Sequence, residues 1–238
     1  MIQTIIMAGG RGVRLASVSG DKPKPMVSIE GKPAIERQIE SLQKNGLKDI
    51  TIVVGYLGQT IKEYLGNGEK YGVKIDYFFE ETPLGTAGSL FALKDSLDKR
   101  FLLVNADLIY NFNFGNFIDF HNKNRAIATI AAQETGHPQD SVLISRDLQN
   151  RVTGMYFKDK PRPSGLRISN AAIHLLDKEV LDFFPLSKSV DLDRDILQNL
   201  IPGKRFFAYL TQEYIEDFGT PQRYAKVCSD IRDNKVKL

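Results

Sequence analysis

Short apolar segments alternate with helix-forming segments over the first 110 residues, and no other feature of this sequence limits its fold as strongly. Buried strands are predicted for the apolar runs at 2–8, 50–54, 73–79 and 101–104. Helices are predicted after Pro33, at 61–65 and from about Thr86. This alternation predicts a mostly parallel central sheet with helices on both faces, a Rossmann-like α/β fold.

Ligands of such sheets bind beyond the carboxyl ends of the strands. Three segments directly follow predicted strands: the loop 9–24, the segment 80–88 and Asp107. We therefore expect these segments to gather at one edge of the sheet.

The second half of the chain is less regular and predicts a smaller second lobe. Strand-like runs occur at 126–131, 142–145, 152–157, 169–176 and 205–210. Short helices are predicted near 178–184 and 192–200, and a last helix at about 221–233. No repeat or linker separates the halves, so we predict a single domain over residues 1–238.

Composition excludes several classes of protein. With 42 % hydrophobic and 26 % charged residues, the chain is neither disordered nor a membrane-spanning protein. A net charge of +3 does not by itself require nucleic acid, and we expect neither a nucleic-acid partner nor membrane insertion. The single cysteine, Cys228, excludes an internal disulfide and lies on a helical apolar stripe, so we expect it to be buried. The first residues lack the features of a signal peptide, which favours a cytoplasmic protein.

The strongest local signal is the glycine-rich loop AGGRGVRL at 8–15, followed by KPKPM at 22–26. Glycines bring bare backbone N–H groups close to phosphate oxygens, while Arg14 and Lys24 can neutralise phosphate charge. The loop is not a P-loop, because no Gly-Lys-Ser/Thr follows, and Leu15 stands where a dinucleotide motif has its last glycine. Taken alone, it fits a phosphate cradle and an ordinary glycine-rich connection equally well.

Three further motifs favour the phosphate cradle. They are ETPLGTAG at 81–88, NAD at 105–107 and DFGTP at 217–221. With the glycine-rich loop, they resemble the sugar-1-phosphate nucleotidyltransferase family in type and order, over nearly the whole chain. The segments 137–141, 190–195 and 214–217 are similar to guanylyltransferases that act on D-glycero-D-manno-heptose 1-phosphate, and mannose-1-phosphate guanylyltransferases are the other near branch.

This resemblance implies that an oxygen of a sugar 1-phosphate attacks the α-phosphorus of a nucleoside triphosphate, GTP in the first instance, and expels pyrophosphate. The NDP-sugar product would serve surface polysaccharide synthesis. Mg²⁺ would offset charge at the reacting phosphates. The nucleotide-binding part would cover about 1–110, the sugar-phosphate-binding part about 111–220, and a C-terminal helix would follow.

The resemblance also assigns residues. It places Arg14, Lys24 and Asp107 in the catalytic group, with Arg14 towards the leaving pyrophosphate. Asp107 and Asp217 would hold Mg²⁺, a cation that prefers oxygen ligands. The residues implied to bind the nucleotide are Ala8, Gly9, Gly10, Gly12, Arg14, Leu84, Gly85 and Thr86. Without the surrounding motifs, Asp107 would be a turn cap and Asp217 an acidic residue before a helix.

The resemblance places Lys160, Asn170 and Asp193 on the sugar phosphate. A Lys-Pro pair is common in surface loops, which is the alternative for Lys160. Asp193 equally fits an acidic first turn of a helix.

Three positions depart from the family pattern. Val13 replaces a usual Thr or Ser and removes a hydroxyl, while Ala106 and Ala172 replace frequent glycines. The hydroxyl lost at Val13 implies weaker nucleotide affinity, while Ala106 and Ala172 leave the identity of the sugar open. A cytidylyl- or uridylyltransferase acting on another phosphorylated sugar or on phosphocholine, and a non-catalytic nucleotide-sugar-binding subunit, remain the alternatives. The sequence leaves a homo-oligomer open as well.

Overall fold

The computed structural model describes residues 2–182 and 189–236. The chain divides into two compact units. The first unit comprises Met1–Pro83, Val104–Asn113 and Glu213–Leu238, and the second comprises Leu84–Leu103 and Phe114–Gln212. The end of the helix predicted near 178–184 lies outside the described residues; its first part, Lys178–Leu181, is a 3₁₀ turn.

The strands, in chain order, are β1 (Gln3–Ala8), β2 (Ser28–Ile29), β3 (Lys32–Pro33), β4 (Asp49–Val54), β5 (Lys74–Phe79), β6 (Arg100–Asn105), β7 (Leu108–Asn111), β8 (Ala128–Glu134), β9 (Leu143–Arg146), β10 (Val152–Tyr156), β11 (Ile168–Asp177), β12 (Phe206–Leu210) and β13 (Tyr214–Asp217). The α-helices are α1 (Ala16–Ser19), α2 (Ala34–Lys44), α3 (Gly58–Leu65), α4 (Gly88–Ala92), α5 (Phe114–Lys123), α6 (Gln198–Leu200) and α7 (Pro221–Arg232). A π-helical turn at Leu192–Leu197 precedes α6.

The first unit is built on the parallel strands β1, β4 and β5, in the order β1-β4-β5. Thr4 to Ala8 of β1 pair with Ile50 to Val54 of β4, and β4 pairs with β5 in the same direction. The central side chains of β1 and β4 are buried, as expected of apolar strands covered on both faces, whereas β5 buries Ile75 and leaves Lys74, Asp76 and Phe79 exposed.

Helix α2 begins and ends where the sequence predicts. It starts directly after Pro33, buries Ile35, Ile39 and Leu42 on one face, and stops before Gly46, which adopts a positive φ of 76°. Helix α4 is shorter than predicted, because the chain turns at Leu93 and buries Leu97 beyond the helix end.

A two-stranded ribbon of β7 and β13 also belongs to the first unit, and the sequence analysis did not predict it. Both strands have only four residues, too few to show a clear alternation of polar and apolar positions. They pair antiparallel, with Asp217 opposite Leu108.

In the second unit, β8 lies between β11, which is antiparallel to it, and β12, which is parallel. Strand β9 pairs with β10 and β11. Helix α5 packs here through Phe117, whose ring meets Tyr209 edge-on at 5.5 Å between ring centroids. We did not predict α5, although Phe114, Phe117 and His121 form a buried i, i+3, i+7 stripe that could have shown it.

The predicted fold class is confirmed: the fold is a mixed, mostly parallel central sheet with helices. Cys228 is buried and unbridged, as predicted, in a cluster with Leu15, Phe218 and Val227. Of the helices in the described part of the chain, none has the length and apolar character needed to cross a bilayer.

Candidate active site

Asp107 lies in the two-residue turn between β6 and β7. The turn is held from both sides. Ala106 donates its backbone N–H to the carbonyl of Met7 (3.0 Å), and the Gln38 side chain donates to the carbonyls of Asn105 (2.9 Å) and Leu108 (2.8 Å). Because Gln38 is only 1 % exposed, these bonds are shielded from water and fix the position of the turn.

Asp217 lies beside this turn, because β13 ends where β7 begins. The N–H of Phe218 donates to the backbone carbonyl of Asp107 at 3.0 Å. The tertiary structure thus makes backbone neighbours of the two aspartates that the sequence analysis singled out as metal ligands.

Each of these carboxylates is paired with a cation. Lys24 donates to Asp107 Oδ2 at 2.5 Å. Arg223, on the first turn of α7, donates to Asp217 Oδ1 at 3.0 Å and Oδ2 at 3.2 Å. All four side chains are less than one-third exposed, so these pairs are better shielded from solvent than ordinary surface ion pairs.

Three of the predicted catalytic and metal-binding side chains lie close to Gly219. A Cβ at this position would lie 2.9 Å from Asp217 Oδ1, 3.2 Å from Lys24 Nζ and 3.6 Å from an Arg14 guanidinium nitrogen. Three charged side chains, from two 3₁₀ turns and the end of β13, therefore surround a space that only glycine leaves open.

The glycine-rich loop is shaped by two of its glycines. Gly12 adopts a φ of 63°, and a Cβ there would approach Lys24 Cβ to 2.8 Å. A Cβ on Gly9 would collide with the carboxylate of Glu80. Gly10 has open space around it, so its backbone remains accessible, and Val13 is 76 % exposed.

The site has two carboxylates suited to a divalent cation. In the described ranges, 2–182 and 189–236, no cluster of three or more His, Cys, Asp or Glu side chains could hold a metal ion. Mg²⁺ is commonly bound by one or two carboxylates together with substrate phosphates. Asp107 and Asp217 fit that pattern, because they lie on paired segments of the backbone. The cationic side chains beside them suit the phosphates of the substrate.

In the second unit, the segment 84–87 is bound to the segment 189–192. Val190 donates its N–H to the Leu84 carbonyl (3.0 Å) and accepts from the N–H of Ala87 (2.9 Å). The N–H of Leu192 donates to the hydroxyl of Thr86 at 2.7 Å. Gly85 has a φ of 80°, and a Cβ there would lie 2.5 Å from the Val190 carbonyl oxygen. The approach of Val190 is therefore sufficient reason for glycine at position 85.

Asn170 and Asp193, both predicted to bind sugar phosphate, contact each other. The Asn170 amide donates to Asp193 Oδ1 at 2.9 Å and lies 3.1 Å from His174 Nε2. A β-bulge in β11 between Asn170 and His174 brings these side chains together. Ala172, within the bulge, donates its N–H to Asn170 Oδ1 and has a φ of 58°, a conformation that glycine adopts at lower cost.

The two titratable groups in this cluster have shifted pKa values. Burial and the nearby Asp191 carboxylate raise the pKa of Asp193 to about 7, opposed by the Asn170 hydrogen bond and the charge of Arg194. Burial lowers the pKa of His174 to about 4, so its imidazole is neutral at physiological pH. A half-buried carboxyl with a pKa near 7 can donate or accept a hydrogen bond, as recognition of a sugar hydroxyl requires.

Lys160 lies on an exposed turn whose neighbour Asp159 forms an ion pair with Arg194. The Arg194 guanidinium also lies 4.3 Å from the centroid of the Phe157 ring. These contacts connect the turn to the residue next to Asp193, while the role of Lys160 itself stays a prediction.

Comparison with known proteins identifies the family. The family model described as nucleotidyl transferase matches residues 3–234. The chain belongs to the nucleotidyl transferase family. Among curated relatives, it is 33 % identical to the mannose-1-phosphate guanyltransferase of Yarrowia lipolytica over 229 residues, covering 92 % of this chain and 61 % of the relative.

A second relative matches along its whole length. The D-glycero-alpha-D-manno-heptose 1-phosphate guanylyltransferase of Aneurinibacillus thermoaerophilus is 28 % identical over 97 % of this chain and 99 % of its own. In contrast, the chain spans 61–64 % of the length of the first mannose-1-phosphate relatives that it matches.

Solved structures agree with this membership. HddC from Yersinia pseudotuberculosis superposes with a TM-score of 0.82 at 28 % identity, covering 97 % of this chain and all of HddC. A second HddC structure, complexed with GMP-PN, gives a TM-score of 0.80 at 27 % identity.

For this nucleotidyl transferase, sequence reasoning missed the residues that support the predicted site. Arg223 and His174 bind predicted residues directly, and Gln38 binds the backbone on either side of Asp107, but all three lie outside the motifs. A glutamine on the buried side of α2 is unusual enough to have been noticed, because such positions are ordinarily apolar. No local sequence pattern indicates that Arg223 or His174 supports the site.

Proposed function

We propose that the protein transfers GMP from GTP to a sugar 1-phosphate, D-glycero-D-manno-heptose 1-phosphate or mannose 1-phosphate, with release of pyrophosphate. The observation that carries this proposal is the convergence of Asp217, Lys24 and Arg14 around Gly219 in the first unit, with Asp107 bound to Lys24. The cationic side chains of this cluster suit a triphosphate, and its two aspartate carboxylates suit a divalent ion.

In the proposed reaction, a phosphate oxygen of the sugar 1-phosphate forms a bond to the α-phosphorus of GTP. The bond from that phosphorus to the bridging oxygen breaks, and pyrophosphate leaves with the electron pair. Asp107 and Asp217 would hold Mg²⁺, which would offset charge on the α-phosphate and the leaving group. Arg14 and Lys24 would neutralise the triphosphate, and orientation of the two reactants can supply roughly 7–11 kcal/mol.

The second unit would bind the sugar. Asn170 and Asp193 form a hydrogen-bonded pair with donor and acceptor atoms for hydroxyl groups. The names of the relatives and the GMP-PN complex of HddC support guanine as the base.

A matrix of substrates tests the proposal. The protein is incubated with Mg²⁺, each of GTP, CTP, UTP and ATP, and a panel of sugar 1-phosphates plus phosphocholine, and pyrophosphate is measured. We expect release with GTP and a manno-configured sugar 1-phosphate. Preference for CTP or UTP would assign the alternative transferase activities. Ligand-dependent melting shifts without pyrophosphate from any pair would assign the non-catalytic subunit.

A cytoplasmic location, a homo-oligomer and a single domain over residues 1–238 stay predictions from the sequence.

A further inference from the structure

The segment predicted to meet the base and the segment that carries Asp193 are connected by direct hydrogen bonds within the second unit. We call residues 84–87 the donor segment and residues 189–193 the acceptor segment. Three bonds join them: two between backbone groups at Val190 and one from the Leu192 N–H to the Thr86 hydroxyl.

The Thr86 hydroxyl has a defined structural task. Leu192 is the first residue of the π-helical turn, and an N–H at such a position has no partner within the turn. Thr86 Oγ1 accepts this N–H at 2.7 Å, so an oxygen lone pair of Thr86 is already used by the acceptor segment.

The start of the turn is otherwise well fixed. Asp191 Oδ1 accepts from the N–H of Arg194 at 2.9 Å, and Asp195 Oδ2 accepts from the N–H of Asp191 at 2.7 Å. Movement of the donor segment would therefore shift this turn as a body, together with Asp193 and its hydrogen bond to Asn170.

We propose that Thr86 is a positioning residue that couples occupation of the nucleotide site to binding of the sugar phosphate. This inference rests on the proposed function for the roles of the two segments. It differs from the role implied by the family resemblance, in which Thr86 is a nucleotide contact. Coupling between two sites is reciprocal, so each substrate should tighten binding of the other by the same factor.

The test compares Thr86→Val, which removes the hydroxyl at nearly constant shape, with Thr86→Ser, which retains it. Thr153→Val is the matched control, because the Thr153 hydroxyl bonds to Ser145 on an exposed part of the same unit. Calorimetry measures the Kd of mannose 1-phosphate and of the heptose 1-phosphate, in Mg²⁺, with and without a GTP analogue that has a methylene α–β bridge. Steady-state kinetics gives KM for both substrates separately from kcat.

We expect Thr86→Val to reduce the coupling factor at least about fivefold and to raise KM for the sugar phosphate as well as for GTP. Thr86→Ser and Thr153→Val should keep the wild-type coupling. Unchanged coupling in Thr86→Val, or a rise in KM for GTP alone, would overturn the inference.

Two further measurements keep this test decisive. If Thr86→Val fails to fold, as judged by its melting curve, Asp195→Ala loosens the same turn from the exposed side and should reduce the coupling in the same direction. Wild-type protein that releases no pyrophosphate would contradict the proposed function. Active wild-type protein with unaltered coupling in Thr86→Val, or in Asp195→Ala where Thr86→Val does not fold, would contradict only this inference.

Discussion

The aspartates predicted to bind the metal ion, in the first unit, and the aspartate predicted to bind the sugar, in the second, have opposite surroundings. In the first unit, Asp107 and Asp217 each bind a cationic side chain, Lys24 and Arg223 respectively. In the second unit, Asp193 is held by the neutral amide of Asn170, lies near a second carboxylate, and has a raised pKa.

This difference shows how one residue type can serve two kinds of ligand. A carboxylate that accepts hydrogen bonds from a cationic side chain faces positive charge and can also face a metal ion. A carboxyl with a pKa near neutrality can present either a donor or an acceptor, which suits an uncharged hydroxyl group. Three substitutions test the comparison, from the largest expected effect to the smallest.

Asp107→Asn should lower kcat for pyrophosphate release by about 10² or more, because it removes one preorganised charge at the reacting phosphates. The melting temperature should change little, since the turn is held by Gln38 and by backbone bonds that the substitution keeps. The control is Asp76→Asn, which removes an exposed ion pair with Lys74 in the same unit and should leave turnover unaltered. Full turnover of the Asp107 variant would contradict the metal-ligand role.

Asp193→Asn should remove the part of the pH dependence of the unfolding free energy that arises from the Asp193 carboxyl. The pKa of Asp193 is about 7 in the folded protein and about 4 in an unfolded chain. Between these values Asp193 holds a proton in the folded state that it has released in the unfolded state, so its contribution to wild-type stability falls as pH rises from 4 to 7.

The amide that replaces the Asp193 carboxyl does not titrate and can still accept the Asn170 hydrogen bond. The free energy of unfolding of the Asp193→Asn variant, relative to wild type, should therefore rise from pH 4 to pH 7 by at most about 4 kcal/mol. Denaturant unfolding at several pH values measures this difference. The groups facing Asp193 are Asp191, Arg194, Asn170 and His174. A difference that stays constant with pH would contradict a raised pKa of Asp193 in the folded protein.

Ala172→Gly should stabilise the protein by about 0.5–1 kcal/mol. The backbone strain of alanine at a φ of 58° exceeds the conformational entropy that glycine loses on folding. Ala171→Gly is the matched control on the same strand; Ala171 is buried and has no positive φ, so its substitution should destabilise. Thermal or chemical unfolding measures both. Loss of stability in Ala172→Gly would show that the bulge that positions Asn170 is unstrained.

Much of the fold could be predicted because it is encoded locally. The parallel strands of the first unit and the bounds of α2 follow from apolar runs, helical periodicity and glycine positions, which depend on neighbouring residues only. The ribbon of β7 and β13 could not be predicted in this way. Its strands are short, and their pairing joins residues about a hundred positions apart in the chain.

The sequence alone determined the order of the parallel strands in the first half of the chain, the family and the residue types available for binding phosphate, metal and sugar. Only the tertiary structure decided which of these residues meet: that Asp217 lies beside Asp107, that Thr86 binds Leu192, and that a bulge turns Asn170 towards Asp193. The physical reason is that such contacts depend on the register of long-range strand pairing and on backbone irregularities, and no local pattern in the chain specifies either.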